Sequence, residues 1–347
     1  MTETEALPEI ILGIESSCDD TAVAVLRGRE ILSNIISSQD DVHSPYGGIV
    51  PELASRQHIR NVLPVLDKAL SVADIKLDAV SAVAVTMGPG LIGSLLVGAS
   101  FAKAIAYAQT IPLVGVNHLE GHLLGVLIEQ DVEFPFLCLI ASGGHTSLYL
   151  AHDWARYQMV GCTRDDAAGE AFDKAGKMLG LGYPGGRLVD TLARSGDRQA
   201  FRFPRANIKT GKYDFSYSGL KTALRQHLKE IDEDEPRKTL RDIAASYQEA
   251  LIDSLVKTTV RAAVDLGVRR IVVAGGVSAN SRLRTRMSEV QAEFNKEVFF
   301  SSPKMCTDNA AMIAFAGARR LSAGQTSGLD LNVSAVLPLE CVTSMEA

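Results

Sequence analysis

The sequence predicts an α/β protein with two lobes, because short apolar runs alternate with helical patterns and because one such pattern occurs twice. The chain has 347 residues, of which 46% are hydrophobic and 22% charged. This composition excludes a wholly disordered chain, and the length suits two domains. The formal net charge is −6, so any contact with nucleic acid must come from a local basic patch rather than from an overall positive field.

The first lobe opens with an antiparallel arrangement of strands. An apolar run at 10–15, a short polar turn and a second β-rich run at 21–26 predict a hairpin, and 31–37 predicts a third strand. A buried strand at 80–86 precedes a glycine turn and a helix at 91–108, and a further strand follows at 112–116.

The same pattern returns about 125 residues later, which indicates an internal duplication. Strands are predicted at 134–141, 147–151 and 157–161, with a glycine turn at 142–146. A helix at 242–266, a strand at 270–274 and helices at 279–289 and 309–320 complete the pattern. We therefore predict one lobe from 1–130 with the returning segment 305–347, and a second lobe from 131–304.

Targeting and redox signals predict a reduced, cytoplasmic protein. Residues 1–9 carry three glutamates and no basic residue, unlike a signal peptide, and no apolar run reaches the length of a membrane-spanning helix. The five cysteines are scattered and form no CxxC pair, which favours free thiols over a disulfide.

The most specific motif is His118-Leu119-Glu120-Gly121-His122. In a helix, two histidines four residues apart lie on one face and can bind one ion, and neutral imidazole suits iron or zinc. Glu120 would point to the opposite side, so the motif does not supply the general base of a zinc peptidase. Histidines also occur at this spacing by chance, so the spacing alone leaves metal binding and packing both open.

Other motif matches fail on context. The segment 88–93 fits GxGxxG, but the next strand ends at Asn117 without the acid that a dinucleotide-binding fold requires. Fragments at 209–211, 218–221 and 307–309 resemble the penicillin-binding-protein set in the wrong order. Neither GxSxG nor GxxxxGK[ST] occurs, so a serine hydrolase and a P-loop NTPase lose their usual support.

Three glycine turns, at 142–146, 182–186 and 274–280, expose backbone N–H groups where a phosphate or ribose could approach. Together they favour a nucleotide-like ligand. Carboxylates at Asp166, Glu170 and Asp173 lie along one predicted helix face. They could bind ribose hydroxyls, or they could form ordinary i,i+4 pairs with lysines.

The segment 194–229 contains nine lysines and arginines against Asp197 and Asp214. Its interleaved aromatic residues, Phe201, Phe203, Tyr213, Phe215 and Tyr217, could stack on unpaired bases. A solvated basic face is the alternative interpretation.

These motifs occur in the order found in one family. The HLEGH segment, the glycine turns, 165–174, 214–222 (DFSYSGLKT), 307–312 (TDNAAM) and 49–56 (IVPELASR) together resemble the TsaD (Gcp-type) family. Its members are tRNA adenosine threonylcarbamoyltransferases, formerly described as O-sialoglycoprotein endopeptidases. The resemblance extends over residues 10–340.

The resemblance implies an actin-like (ASKHA) fold with duplicated sheet-and-helix lobes and a ligand cleft between them. It implies one divalent metal ion held by His118, His122 and Asp308, with Fe²⁺ expected and Zn²⁺ as the alternative. It also implies a set of residues that bind the threonylcarbamoyl-adenylate: Ile140, Ala141, Ser142, Gly143, Gly144, Asp173, Gly186, Asp190 and Asn280.

The implied reaction is transfer of the threonylcarbamoyl group to N6 of adenosine 37, next to the anticodon, in tRNAs that read codons beginning with A, with release of AMP. The implied partners are the tRNA anticodon loop, a TsaB-type paralogue and a TsaE-type ATPase. The sequence assigns no catalytic base. A metallopeptidase and an actin-like ATP-binding small-molecule kinase are the alternative functions.

Overall fold

The computed structural model describes residues 10–206, 211–230 and 237–339. The chain divides into two compact units, one formed by Met1–Asp131 with Asp308–Ala347 and the other by Val132–Thr307. Each unit contains one five-stranded mixed sheet with helices against it.

The sheet of the first unit has the strand order β3-β2-β1-β4-β5. β1 is antiparallel to β2 and parallel to β4, and β5 is parallel to β4. The carboxyl ends of β1, β4 and β5 therefore lie at one edge of the sheet. The strands are β1 Ile11–Glu15, β2 Asp20–Arg27, β3 Glu30–Ser38, β4 Ala82–Gly88 and β5 Leu113–Asn117.

The second unit repeats this topology. Its order, β8-β7-β6-β9-β10, matches the first when the strands are counted from the start of each unit. β6 pairs antiparallel with β7 and parallel with β9, as β1 does with β2 and β4. The strands are β6 Phe136–Ala141, β7 Thr146–Asp153, β8 Arg156–Cys162, β9 Arg270–Ala274 and β10 Glu297–Phe300. The predicted duplication of sheet-and-helix lobes is confirmed.

The helices supply the other layer of each unit. Those of the first unit are α1 Asp40–His43, α2 Pro51–Ala73, α3 Ile92–Gln109, α4 His118–Glu129 and α10 Ala310–Ser322. Those of the second are α5 Ala168–Met178, α6 Gly185–Ala193, α7 Ser218–Lys229, α8 Arg237–Asp265 and α9 Ser281–Phe294.

The central strands and α10 form the core of the first unit. β1 is buried at every residue, which matches its apolar run. α10 is rich in alanine and is buried around most of its circumference, because it packs against β1 and α4 together. Small side chains permit this close approach, and they bring the start of α10 next to the start of α4.

The sequence prediction missed several elements. It did not place α2, although this helix is 23 residues long, nor α6, α7 or the short edge strand β10. The four cysteines among the described residues are free, as predicted, while Cys341 lies outside them. Within the described part of the chain, no helix is both long enough and apolar enough to cross a bilayer.

Candidate functional site

The HLEGH segment begins α4 directly after β5. Asn117 is the N-cap, and its side chain accepts a hydrogen bond from the N–H of Leu119 at 2.9 Å. This cap ends the strand and starts the helix at His118. His118 and His122 are therefore one helical turn apart, and both are buried. The helical geometry predicted for the pair is confirmed.

Asp308 completes a cluster with the two histidines, 186 residues after His122. Its Oδ1 lies 3.0 Å from Nε2 of His122 and 3.6 Å from Nε2 of His118. One donor atom from each of the three residues lies within 4.8 Å of the others. Two imidazoles and one carboxylate are a donor set that suits Fe²⁺ as well as Zn²⁺. The three residues thus fit a single divalent ion.

Two features of the helices bring Asp308 to this place. It precedes Asn309, whose side chain caps α10 by accepting from the N–H of Met312 at 3.1 Å. On α4, Gly121 lies between the histidines, and a Cβ there would come within 2.8 Å of Ile313 on α10. Glycine at 121 thus leaves room for the end of the Ile313 side chain against α4, and alanine there would require that side chain to move.

Sequence reasoning missed Glu15, at the carboxyl end of β1. This fully buried carboxylate lies 2.9 Å from Nδ1 of His118 and accepts a hydrogen bond from Thr86 Oγ1 at 2.7 Å. The N–H of Ser17 donates to its other oxygen. Glu15 thus orients the His118 ring so that Nε2 is the nitrogen nearest Asp308. An acid that ends an apolar strand was the available signal.

The pairing of His118 with Glu15 determines the electrostatics of the cluster. Burial alone would lower the pKa of His118, but Glu15 and Asp308 together raise that pKa to about 9. Burial likewise opposes ionisation of Glu15, yet His118 holds the pKa of Glu15 below its usual value. The site therefore stabilises positive charge next to the Asp308 carboxylate.

Glu120 has a different role. It is buried on the other side of α4 and accepts a hydrogen bond from Nε of Arg320 on α10 at 2.7 Å. It is thus part of a buried ion pair between the two helices rather than of the histidine cluster. The prediction that Glu120 points away from the two histidines is confirmed.

In the second unit, the glycine turns at 142–146 and 274–280 follow β6 and β9, and the turn at 182–186 precedes α6. Ile140 and Ala141 end β6, and Ser142, Gly143 and Gly144 form the turn to β7. Gly143 and Gly144 are exposed, with open space beside them. These are the positions at which backbone N–H groups can face a ligand.

Gly275 brings the third turn against the first. It has a φ of +85°, and a Cβ would lie 2.5 Å from the carbonyl oxygen of Ala141. Both the left-handed backbone and the close approach require glycine. Asn280 ends this turn as the N-cap of α9, and its amide donates to Gln248 Oε1 at 2.8 Å.

The carboxylates predicted to bind ribose divide into two groups. Glu170 pairs with Lys174 at 2.8 Å, as the i,i+4 alternative expected. Asp166 is also in ion pairs, but with Lys174 and Lys221 at 2.7 and 2.6 Å, neither of which is four residues away. Asp173 instead accepts the N–H of Gly186 at 3.1 Å, which joins α5 to the start of α6.

Asp190, on α6, joins that helix to the start of α9. It accepts from Ser281 Oγ at 2.7 Å and from Arg194 at 3.0 Å. Because Ser281 follows Asn280, the structure places Asp190 next to that predicted residue. All nine predicted adenylate-binding residues belong to the second unit.

The basic segment 194–229 is less uniform than its sequence indicates. Four of its cations are engaged in ion pairs: Arg194 with Asp190, Arg205 with Asp253, Lys212 with Asp265 and Lys221 with Asp166. Four have no ion pair among the described residues, namely Arg198, Arg202, Arg225 and Lys229. Lys209 lies outside the described residues.

Most of the interleaved aromatic residues are part of the core. Phe203, Tyr213, Phe215 and Tyr217 are at most 8% exposed, so the prediction that they could stack on bases is wrong for these four. They pack with α8 and its neighbours in the second unit's hydrophobic core. Phe201 alone is half-buried.

Comparison with known proteins agrees with the site. The sequence model of the family described as TsaD, tRNA N6-adenosine threonylcarbamoyltransferase, matches residues 30–315. A protein of that name from Syntrophotalea carbinolica is 54% identical over 332 residues, covering 95% of this chain and 97% of the relative. One from Syntrophus aciditrophicus is 50% identical over 337 residues, covering 96% and 99% of the two chains.

Solved structures share the fold at much lower identity. The full-length HypF crystal structure in its phosphate- and nucleotide-bound form aligns with a TM-score of 0.62 at 12% identity over 93% of this chain. HypF of T. kodakarensis aligns with a TM-score of 0.60 at 14% identity over 92% of this chain. The chain spans about half the length of these structures, 48% in both cases. At this identity they support the ASKHA fold class alone.

Proposed function

Because the chain belongs to the tRNA N6-adenosine threonylcarbamoyltransferase family and is a tRNA-modifying transferase, we propose that its group donor is a threonylcarbamoyl-adenylate. The acceptor is N6 of adenosine 37, next to the anticodon, in tRNAs that read codons beginning with A. The observation that carries this proposal is the convergence of His118, His122 and Asp308 in a chain of this family.

In the proposed reaction, the lone pair of N6 forms a bond to the carbamoyl carbon, and the bond from that carbon to the phosphate oxygen breaks. N6 loses one proton, and AMP leaves with the electron pair of the broken bond. The acceptor adenosine lies in a loop, because chemistry on a base requires that base to be unstacked.

His118, His122 and Asp308 would hold the ion, with Fe²⁺ as the proposed occupant and Zn²⁺ as the alternative. The ion, when bound, would withdraw charge from oxygens of the adenylate and help to orient it. Glu15 keeps the His118 ring in position through the 2.9 Å contact to Nδ1.

The second unit supplies the proposed adenylate site. Backbone N–H groups of Gly143 and Gly144, in the turn that begins at Ser142, would donate to the phosphate and threonyl oxygens. Ile140 and Ala141 fix that turn at the end of β6. Gly186, at the start of α6, would line the same site.

The remaining polar residues would bind the hydroxyl and amide groups of the adenylate. The carboxylates of Asp173 and Asp190, which contact the starts of α6 and α9, would accept from ribose hydroxyls. Asn280 would present its side-chain amide. These groups hold the donor in one orientation, which lowers the entropic barrier to attack.

Further parts of the proposal concern partners and place of action. A TsaB-type paralogue would bind the first unit, which exposes apolar side chains at one-turn spacing on two adjacent helices: Ile59 and Leu63 on α2, Ile92 and Leu96 on α3. A TsaE-type ATPase would assist turnover. The tRNA substrate supports action in the cytoplasm.

The proposed tRNA surface includes Arg198, Arg202 and Arg225, because these exposed cations have no ion pair among the described residues. Arg205 is less suitable as a test position, since it pairs with Asp253 and donates to the Phe203 carbonyl.

Mass spectrometry of tRNA nucleosides tests the proposal. Purified enzyme with its protein partners, the adenylate and unmodified tRNA should yield threonylcarbamoyladenosine and AMP in equal amounts. A variant with His118→Ala and His122→Ala should yield neither product above background. The control is His152→Ala, which should match the wild type because His152 makes only a solvent-exposed hydrogen bond to Gln158 among the contacts described. Full product from the double variant in metal-free buffer would refute the role of the cluster.

A further inference from the structure

A small surface pocket of the second unit shares no residue with the proposed adenylate and metal sites. Its volume is about 220 Å³, and it lies between the loop after α6 and one face of α7. The loop contributes Phe201, Arg202 and Phe203, and the helix contributes Gln226 and His227. Helical spacing places the contributing residues of α7 on one face.

Three of the residues that line this pocket carry aromatic rings. The ring of His227 lies 4.5 Å from that of Phe201, at 59°, and 5.8 Å from that of Phe203. Phe203 is buried and packs in turn on Tyr247 of α8. Phe201 is only half-buried, so it can offer a ring face to a planar ligand.

The loop is held in place before any ligand binds. The N–H of Phe201 donates to Ser246 Oγ at 3.1 Å, and that hydroxyl donates to the Asp197 carbonyl at 3.0 Å. Arg205 donates to the Phe203 carbonyl at 2.8 Å while it is paired with Asp253. A ligand would therefore bind without the loss of conformational entropy that ordering this segment would require.

Charge distinguishes the two walls. Arg202 is exposed and has no ion pair among the described residues, so its guanidinium is available to a phosphate at the rim. Gln226 and Glu230 supply amide and carboxylate groups on the helix side. A carboxylate there repels phosphate but accepts hydrogen bonds from the amino group of a base.

We propose that this pocket binds one unpaired nucleobase of the tRNA, separate from the adenosine that is modified; this rests on the function proposed above. Ligand pockets usually measure about 300–1,000 Å³, so a cavity of about 220 Å³ suits a single planar ring system rather than a whole nucleotide. The base stacks on Phe201, its amino group faces Glu230, and its flanking phosphate contacts Arg202.

The test is a double-mutant cycle between the enzyme and its RNA. Phe201→Leu keeps an apolar side chain but removes the ring face. Dissociation constants are measured for full-length tRNA and for a series in which each unpaired nucleotide around the anticodon is made abasic in turn. Tyr107→Leu is the matched control, because Tyr107 is 75% exposed and lies in the other unit.

We expect Phe201→Leu to weaken binding of intact tRNA by about tenfold, the size of one base–aromatic stacking contact. One abasic position should weaken wild-type binding by a similar factor and should cost the variant nothing further. Tyr107→Leu should bind all RNAs like the wild type. Arg202→Ala, at an exposed position, should weaken binding and lower the slope of log affinity against log salt by about one.

Two results would overturn the pocket assignment. One is a Phe201→Leu protein that binds every RNA as tightly as the wild type. The same holds if this variant keeps its RNA affinity but no longer binds a protein partner. The other is a set of abasic penalties that all add to that of the variant. If the melting temperature shows that Phe201→Leu is unfolded, the same cycle is measured with Gln226→Ala in its place. If wild-type enzyme modifies tRNA, a failed cycle contradicts the pocket alone; if it does not, the proposed function fails first.

Discussion

Substitution of Glu15 by glutamine tests how the proposed metal site of His118, His122 and Asp308 is held together. The Glu15 carboxylate accepts hydrogen bonds from Thr86 and from the Ser17 N–H, and it lies 2.9 Å from Nδ1 of His118. Glutamine has nearly the same shape but no charge, and only one of its two terminal groups accepts. The variant therefore changes the orientation and basicity of His118 without removing a ligand.

The size of the effect follows from this outer position. Loss of a carboxylate that supports a metal-binding histidine costs about 10–100-fold in metal affinity. This factor corresponds to about 1.4–2.7 kcal/mol of binding free energy. Glu15 is fully buried, where solvent does not replace the lost interaction, so we expect the upper half of this range.

The assay is competition with a chelator of known affinity, using Fe²⁺ under anaerobic conditions and Zn²⁺ in parallel. Glu15→Gln should bind more weakly with a stoichiometry still near one ion per chain. Its tRNA-modifying activity should be low at limiting metal and should recover when metal is saturating, because the three ligands remain.

A matched control is Glu120→Gln, since Glu120 is another buried carboxylate in the same unit but pairs with Arg320 on α10. This control should lower the unfolding free energy and leave metal affinity unchanged. A metal affinity of Glu15→Gln within about twofold of the wild type would be too small a change for the loss of a carboxylate that supports a metal-binding histidine. The inference that Glu15 supports His118 would then be wrong.

Three further predictions address other parts of the molecule. Burial, together with Asp308 and Asp19, raises the pKa of Asp20 from 3.8 to about 7, so the protein without metal should lose stability as pH rises from 4 to 7. At pH 8, Asp20→Asn should be more stable than the wild type by on the order of 3 kcal/mol. Urea unfolding would contradict this if the unfolding free energies of the two proteins changed in parallel with pH. Gly275→Ala should lower the unfolding free energy by about 1–3 kcal/mol and weaken adenylate binding in calorimetry, because φ is +85° and the added Cβ would meet the Ala141 carbonyl; a wild-type melting temperature would refute it. Leu96→Glu should abolish calorimetric binding of the paralogue without changing the melting temperature, whereas Val264→Glu, which is also exposed but lies in the other unit, should bind normally.

Strands were easier to predict than helices in this chain. The buried strands are continuous apolar runs bounded by turn residues, and their limits lie within two or three residues of those predicted. α2 was missed because it contains Pro64 and several charged residues on its exposed side, which obscure the helical period in the sequence. β10 is a half-buried edge strand of four residues, too short for periodicity to identify.

The candidate site shows a similar division between local and distant signals. The spacing of His118 and His122 within one helix is visible in sequence, because neighbours on a helix face recur every three or four residues. Asp308 came from the family resemblance alone, since no local pattern connects residues 186 positions apart. The prediction for the aromatic residues of 201–217 was wrong because a segment rich in basic and aromatic residues has the same sequence pattern whether its rings face solvent or the core.

The parallel strands explain why Glu15 belongs to the site although sequence reasoning missed it. β1, β4 and β5 run in the same direction, so the ends that carry Glu15, Thr86 and Asn117 meet at one sheet edge. α4 starts at that edge, which places His118 against Glu15. β1 and β5 are both parallel neighbours of β4. An acid at the end of β1 therefore lies near the first residues of α4, the helix that follows β5. Single-sequence patterns leave the strand order open, and it is the strand order that identifies this buried acid as the partner of His118 in the proposed metal site.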